Sequence, residues 1–318
     1  MLSLSYPDVY SKILYVLAGF SVPIHIFGGY CILLKTPKIM KSVKWALFNL
    51  HFWSSFLDIS ISLLAQPFLC APVFAGYQLG ILSWIGVPTD ISELTIRTLY
   101  MLVPISIITM FENRYYILFV QNGYWQYIRY PFLMLNYFAG LTYCIPVYLD
   151  VPKDQEIARR KLFNKYPNAC EFASDKSLVS VINFGDTAWT RLRDNALTFT
   201  LLVEIITFVV LLRVKMNRAL KTSISGDTLR MQKKFIKALN IQIAIPILVF
   251  FVPTAVGVLI DPVKDEQLQH NLIFIAVSFH GVISTILMID LQKPYRDVFL
   301  SIFGCYRLAP VKHATTLF

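Results

Sequence analysis

Long apolar stretches separated by polar links make up most of the chain. Seven of them, residues 13–34, 45–70, 94–120, 131–149, 195–212, 238–260 and 271–291, contain no lysine. Each is close to the ~20 residues a helix needs to cross a ~30 Å hydrocarbon core. Inside lipid every backbone N–H and C=O must be paired within its own segment, so the pattern predicts helices. The ~10-residue alternating segments of a membrane barrel are not seen. The expected fold is an all-α membrane protein, a single seven-transmembrane helix bundle over residues 1–318. It has a short amphipathic segment at 293–305 and a short tail at 306–318. Residues 71–88 are apolar enough to resemble a further span, but Pro72, Gly76, Gly80, Gly86 and Pro88 favour a loop or re-entrant segment.

Composition strengthens this picture. Hydrophobic residues are 56% of the chain and charged residues 15%, against about 25% charged in soluble domains. A net charge of +10 on a soluble domain would point to nucleic acid, but here the basic residues flank the spans. Lys35, Lys38, Lys41 and Lys44 fill the first link, and Arg213, Lys215, Arg218, Lys221, Arg230, Lys233, Lys234 and Lys237 fill the fifth. The positive-inside rule makes these links cytoplasmic, with the N-terminus outside and the C-terminus inside. Residues 71–93 carry no Lys or Arg, as an outer link should. The long link 150–194, with Arg159, Arg160 and Lys161, runs against the rule, but it is near the length at which the rule weakens. The first residues lack a basic region and cleavage site, so span one is expected to serve as its own insertion signal. No Asn-x-Ser/Thr acceptor occurs.

The five cysteines show no metal-ligand spacing, and neither a metal nor a cofactor is expected. Cys31 and Cys144 read as small buried residues. Cys70 and Cys170, both on the outer side, stand as a disulfide or as two separate thiols. Cys305 stands as a palmitoylation site or as an unmodified interfacial thiol.

Charged and polar residues inside the spans carry the candidate chemistry, because a charge at a helix centre costs about 2.5 to 3.5 kcal/mol on the insertion scale. Arg97, Glu204 and His280 are candidates to line an outward-facing pocket for a small ligand, and Asp58 to support a buried switching network. The competing reading is polar glue between helices, with Arg97 reaching to the headgroups. His25 and His51 read as packing or interfacial residues. Pro246 and Pro253 in span six form a candidate hinge or a pair of static kinks; Pro23, Pro67 and Pro104 also fall inside spans.

At the inner end of span three stands FENRYYILF, with Glu112, Asn113, Arg114 and Tyr115. It invites comparison with the Asp/Glu-Arg-Tyr signature of rhodopsin-like receptors, but Asn113 takes the place of the acid. Span seven ends in SFHGVISTILMIDLQKPYRDVF, residues 278–299, with His280-Gly281, Ser284-Thr285 and Pro294-Tyr295-Arg296. With FNLHFWSSFLD at 48–58, the proline pair Pro67 and Pro72, and KKFIKALNIQIAIPILVFFVP at 233–253, the chain closely resembles nematode serpentine chemoreceptors of class H along nearly its whole length. The resemblance implies a chemosensory G-protein-coupled receptor of the plasma membrane, in sensory neurons and their cilia. Its implied partners are a small-molecule ligand, a heterotrimeric G protein and the lipid bilayer. Glu112, Asn113, Arg114, Tyr115, Lys233, Lys234, Tyr295 and Arg296 are the candidate coupling residues. The rhodopsin-like Asn-Pro-x-x-Tyr motif is absent from span seven, so switch mechanics do not transfer in detail.

Other classes fit less well. A retinal protein needs a lysine in the last span, and none lies between Lys264 and Lys293. A transporter favours internal repeats, which are not seen. An enzyme would want a catalytic set such as His-Glu-x-x-His or Gly-x-Ser-x-Gly, and neither occurs. The runner-up is a ligand-gated channel, of seven spans and opposite orientation, or a seven-span transporter of small molecules.

Overall fold

The computed structural model describes residues 4–70, 73–120, 123–171, 173, 175–182, 187–221, 237, 240, 241, 244, 245, 247–249, 251 and 266–302. In chain order the helices are α1 (Pro7–Lys35), α2 (Lys41–Ile59), α3 (Ile81–Trp84), α4 (Thr89–Tyr115), α5 (Trp125–Thr142), α6 (Ile145–Leu149), α7 (Gln155–Lys165), α8 (Thr187–Lys221), α9 (Glu266–Leu291) and α10 (Lys293–Ile302). Six helical segments among the described residues are long and apolar enough to cross a membrane. The described positions between 237 and 251 are helical as well, where span six is expected. Pro246, Pro253, Lys233, Lys234 and Cys305 lie outside the described residues.

The helices run past the apolar stretches that predict them. Helix α1 starts at Pro7, α4 at Thr89 and α8 at Thr187, each before its stretch begins. A helix is ended by its caps and by loss of hydrogen-bond partners, so polar residues beyond the hydrocarbon extend it freely. Span two does the opposite. Its helix passes into a wider π-type turn at Ser60–Leu64 and stops, instead of continuing to residue 70. The cause is local: Gln66 precedes Pro67, whose ring disfavours right-handed helix at the residue before it. Gln66 is held at φ 47°; its amide donates to the Ser62 carbonyl at 2.8 Å and accepts from the Ser11 hydroxyl at 2.6 Å.

Pro67 instead opens strand β1 (Pro67–Leu69), which pairs antiparallel with β2 (Ala75–Gln78), and β2 pairs with β3 (Ser180–Val181). The register aligns Pro67 with Gln78 and Ala75 with Val181. This small sheet is an addition to the helical plan, and it occupies the segment read from sequence as a loop. As the first residue of an edge strand, Pro67 costs no ladder bond. A disulfide joins Cys70 to Cys170, tying the hairpin to the segment after α7. Phe68, Cys70, Ala75, Val179 and Val181 form a separate buried cluster with Tyr10 and Leu14 of α1 and Ala158 and Leu162 of α7. Helix α7 begins cleanly because the Asp154 carboxylate accepts from the Glu156 and Ile157 N–H groups.

Helix α4 is the bundle's axis. It packs against α2, α5 and α8, while α1, α2 and α9 pack on one another. Two-thirds of the apolar window of α4 is buried (67%), against 22% for the span formed by α5 and α6, so α4 meets protein and the other meets lipid.

Candidate functional site

Three polar places stand out inside this apolar bundle. The outermost is a cavity of about 320 Å³. Helix α4 supplies Glu93, Arg97 and Tyr100, α8 supplies Asn195 and Thr198, α9 supplies Phe274 and Val277, and Tyr143 stands at the end of α5. Glu93 and Arg97 are one helical turn apart and pair at 2.8 Å, so the two charges that the described residues bring to the wall cancel. Of the pocket candidates read from sequence, Arg97 lines this cavity. Glu204 and His280 are not among its lining residues. The Glu204 side chain faces Asn136 of α5, from which it takes a hydrogen bond.

His280 lies deeper, in a cluster with no opening to solvent. Its Nδ1 is 2.9 Å from Asp58 Oδ1 and 2.5 Å from the Val277 carbonyl oxygen. Both neighbours are acceptors, so Nδ1 is the nitrogen that carries hydrogen. The other carboxylate oxygen, Oδ2, lies 3.2 Å from His25 Nε2 of α1 and accepts the Val282 N–H at 3.1 Å. Ser55 Oγ is 2.9 Å from His25 Nδ1, and His51 Nε2 donates to the His25 carbonyl at 2.9 Å. Thr285 Oγ1 stands 3.4 Å from both His25 Nδ1 and His51 Nδ1.

Asp58 and His280 have no exposed surface, and His25 and His51 have 4% and 9%. The cluster thus joins α1, α2 and α9 by charge and hydrogen bonds in a place where unpaired groups would be costly. Two glycines make room for it. A Cβ at position 281 would sit 2.5 Å from Asp58 Oδ2, and one at position 28 would sit 2.5 Å from Thr285 Cγ2 and 2.8 Å from His51 Cε1. Among the described residues no group of His, Cys, Asp and Glu is arranged to hold a metal ion.

The third place is at the other end of α4, at the motif FENRY. Glu112 has no exposed surface, and its partner is not Arg114, two residues on. Glu112 Oε2 meets Arg129 Nη2 of α5 at 3.0 Å and Oε1 accepts from Trp125 Nε1 at 2.8 Å. Arg129 also lies over the Tyr116 ring at 3.9 Å and reaches Asn113 Oδ1 at 3.4 Å. Asn113 Nδ2 donates to the Ser42 carbonyl at the start of α2 at 3.2 Å. Arg114 is 3% exposed, packed within the bundle rather than displayed at its end. Tyr115 stacks edge-on to Phe208 of α8, centroids 6.2 Å apart.

Near this end the turn into α10 buries Tyr295 completely. Its hydroxyl shares a 2.8 Å hydrogen bond with Thr36 Oγ1 at the end of α1. Burial pushes the Tyr295 phenol above its ordinary value, opposed by that hydrogen bond. Arg296, the next residue, is exposed.

Sequence reasoning missed His25, His51, Ser55 and Thr285 as members of the Asp58 cluster, and Arg129 as the partner of Glu112. The available signal was the two glycines: His51 and Asp58 flank Gly28 and Gly281 only once the helices are assembled, so the spacing along one helix does not reveal it.

The profile of the family described as serpentine type 7TM GPCR chemoreceptor Srh matches residues 5–305. The chain belongs to this family. It is also similar to serpentine receptor class H-72 of Caenorhabditis elegans, with 27% identity over 300 residues covering 91% of this chain and 83% of that protein. The match begins in the turn before α1 and ends past α10, so the α10 segment with Pro294-Tyr295-Arg296 is within the family's extent as much as the spans are. A serpentine Srh receptor is a multi-pass membrane protein, and six long apolar helices among the described residues, with helical positions described between 237 and 251, are consistent with one.

Proposed function

We propose that this Srh receptor binds a small external molecule in the cavity beside Arg97 and passes the event to a cytoplasmic G protein at the Glu112–Arg129 end. The observation that carries the reading is the sharing of residues between the cavity and the Asp58 cluster. The Val277 side chain lines the cavity while its carbonyl lies 2.5 Å from His280 Nδ1. Ile61, also on the cavity wall, is one turn beyond Asp58. A ligand that favours one arrangement of α2 and α9 therefore acts on contacts that hold Asp58, and shifts the population toward that arrangement. Exposed Arg296 and half-buried Tyr115 are the contacts offered to the G protein, buried Arg114 acts from within the bundle, and Lys233 and Lys234 of the basic fifth link are further coupling residues in this reading. The N-terminus lies outside and the C-terminus inside in this reading, and the receptor works at the plasma membrane of sensory cilia.

Two measurements test it. In intact transfected cells an N-terminal tag should be reached by antibody and a C-terminal tag should not; the reverse result turns the bundle over and removes the G-protein reading. At matched surface expression, Arg114→Ala should cut ligand-evoked G-protein activation by about fivefold or more, the lower end of ordinary coupling strengths. Unchanged activation removes Arg114 from the mechanism.

A further inference from the structure

The chemistry of the cavity wall says what kind of molecule fits. The charged side chains that line it, among the described residues, are Glu93 and Arg97, and they neutralise each other at 2.8 Å. Arg193 is held 5.0 Å over the Tyr143 ring, and it is not among the described lining residues. Most of the remaining wall is apolar, with Phe274 and Val277 on one side, and hydrogen-bonding capacity is concentrated on α8 at Asn195 and Thr198. The volume of about 320 Å³ falls within the roughly 300–1,000 Å³ of ordinary small-molecule sites.

An ionised ligand entering this space gives up part of its hydration and finds, among the described residues, no lining charge beyond the Glu93–Arg97 pair, so it goes uncompensated or competes with that pair. A neutral ligand meets neither cost. We infer that the cavity is selective for uncharged amphiphilic molecules, with an apolar body against Phe274 and Val277 and one hydroxyl or carbonyl group toward Asn195 and Thr198. The Glu93–Arg97 pair acts as a filter against acids and amines of the same skeleton. This inference rests on the reading that the cavity is the ligand site.

The test compares octanol, octanoate and octylamine at neutral pH, which share one hydrocarbon skeleton and differ in charge. Each is titrated against the full-length receptor in lipid nanodiscs, and thermal unfolding is followed. Octanol should raise the melting temperature at concentrations at least about tenfold lower than octanoate or octylamine, the least that an uncompensated buried charge should cost. Thr198→Trp, which fills the cavity, should abolish the octanol shift, and Thr198→Met serves if the tryptophan variant does not fold. Glu93→Gln leaves the Arg97 charge without its carboxylate partner and should move the preference toward octanoate by about tenfold or more.

A wild-type response to octanoate or octylamine at or below the octanol concentration, lost in the Thr198 variants, overturns the selectivity and leaves the cavity as the ligand site. Shifts that persist in both Thr198 variants show binding elsewhere and overturn the cavity reading itself. Absence of any octanol shift in the wild-type receptor also overturns the selectivity.

Discussion

Asp58 and Glu112 are both carboxylates without exposed surface inside long apolar helices, yet the bundle answers them with different chemistry. Glu112 is met by a guanidinium and an indole, Arg129 and Trp125. Asp58 is met by two imidazoles, His25 and His280, and a backbone N–H. A guanidinium keeps its charge under all ordinary conditions, so the first site is a permanent tie between α4 and α5. A neutral imidazole carries one donor and one acceptor nitrogen that exchange with its tautomer, so the second site joins α1, α2 and α9 through contacts that can be remade without moving a helix. The comparison teaches that a buried charge is by itself no sign of a switch; the partner's chemistry decides.

Breaking the permanent tie should have the largest effect. Arg129→Ala leaves Glu112 in an apolar setting with only Trp125 as donor, and should destabilise the purified receptor by about 3 to 5 kcal/mol, read as a lower melting temperature or loss from the cell surface. A variant as stable as wild type would mean that the pair contributes nothing.

Crowding Asp58 comes next. Gly281→Ala places a methyl group 2.5 Å from Oδ2 and should cost about 1 to 3 kcal/mol by overpacking. The neighbouring substitution Ser284→Ala, which shortens a side chain on the same helix and adds no atom, is the control; equal losses from both would show that the close approach at position 281 is not the cause.

Removing one imidazole should cost less. His280→Gln keeps a donor near Val277 and leaves His25 and the Val282 N–H on Asp58, so about 1 kcal/mol is expected, well below the Arg129→Ala effect. If His280→Gln proves as damaging as Arg129→Ala, the distinction between an adaptable and a fixed carboxylate site collapses.

The smallest effect belongs to a third carboxylate, one that is fully exposed. Hydrogen bonds from Ser177, side chain first and backbone N–H second, hold the Asp175 carboxyl below its ordinary value of 3.8. A depressed value in the folded state means stability that is present above pH 3.8 and lost as pH falls through the folded value. Asp175→Ala should therefore flatten the acid limb of the stability curve slightly, with little change near neutrality. Superimposable acid limbs in the two proteins would remove this contribution.

The spans themselves were readable before assembly. Hydrocarbon demands about 20 apolar residues and internal backbone pairing, and both requirements are local. Asp58 could be singled out in the same way, because a carboxylate halfway along an apolar stretch needs a partner. Its partners were not legible. His25 is 33 positions earlier and His280 is 222 positions later by the difference of residue numbers, and only the packing of α1 and α9 on α2 brings them to its two oxygens. FENRY places Glu112 and Arg114 in one helix, but side chains two apart on a helix point to different faces, so the motif does not name the partner of Glu112. Arg129 reaches Glu112 because α5 lies alongside α4.

The end that carries the small sheet shows the same division. The Pro67 signal for the end of a helix is present in the residues, since proline restricts the position before it. The pairing of 67–69 with 75–78 is a local hairpin, but that of 75–76 with 180–181 required the chain to return from about a hundred residues away. So did the joining of Cys70 to Cys170.

What the sequence by itself determined is the set of membrane helices, the family to which they belong and the residues expensive enough to need explanation, because hydropathy and backbone pairing act within single segments. The tertiary structure alone decided which of those residues meet, that Arg97 faces a cavity while His280 faces Asp58, and that the cavity's charges cancel, because each of these depends on distances between helices that no single segment contains.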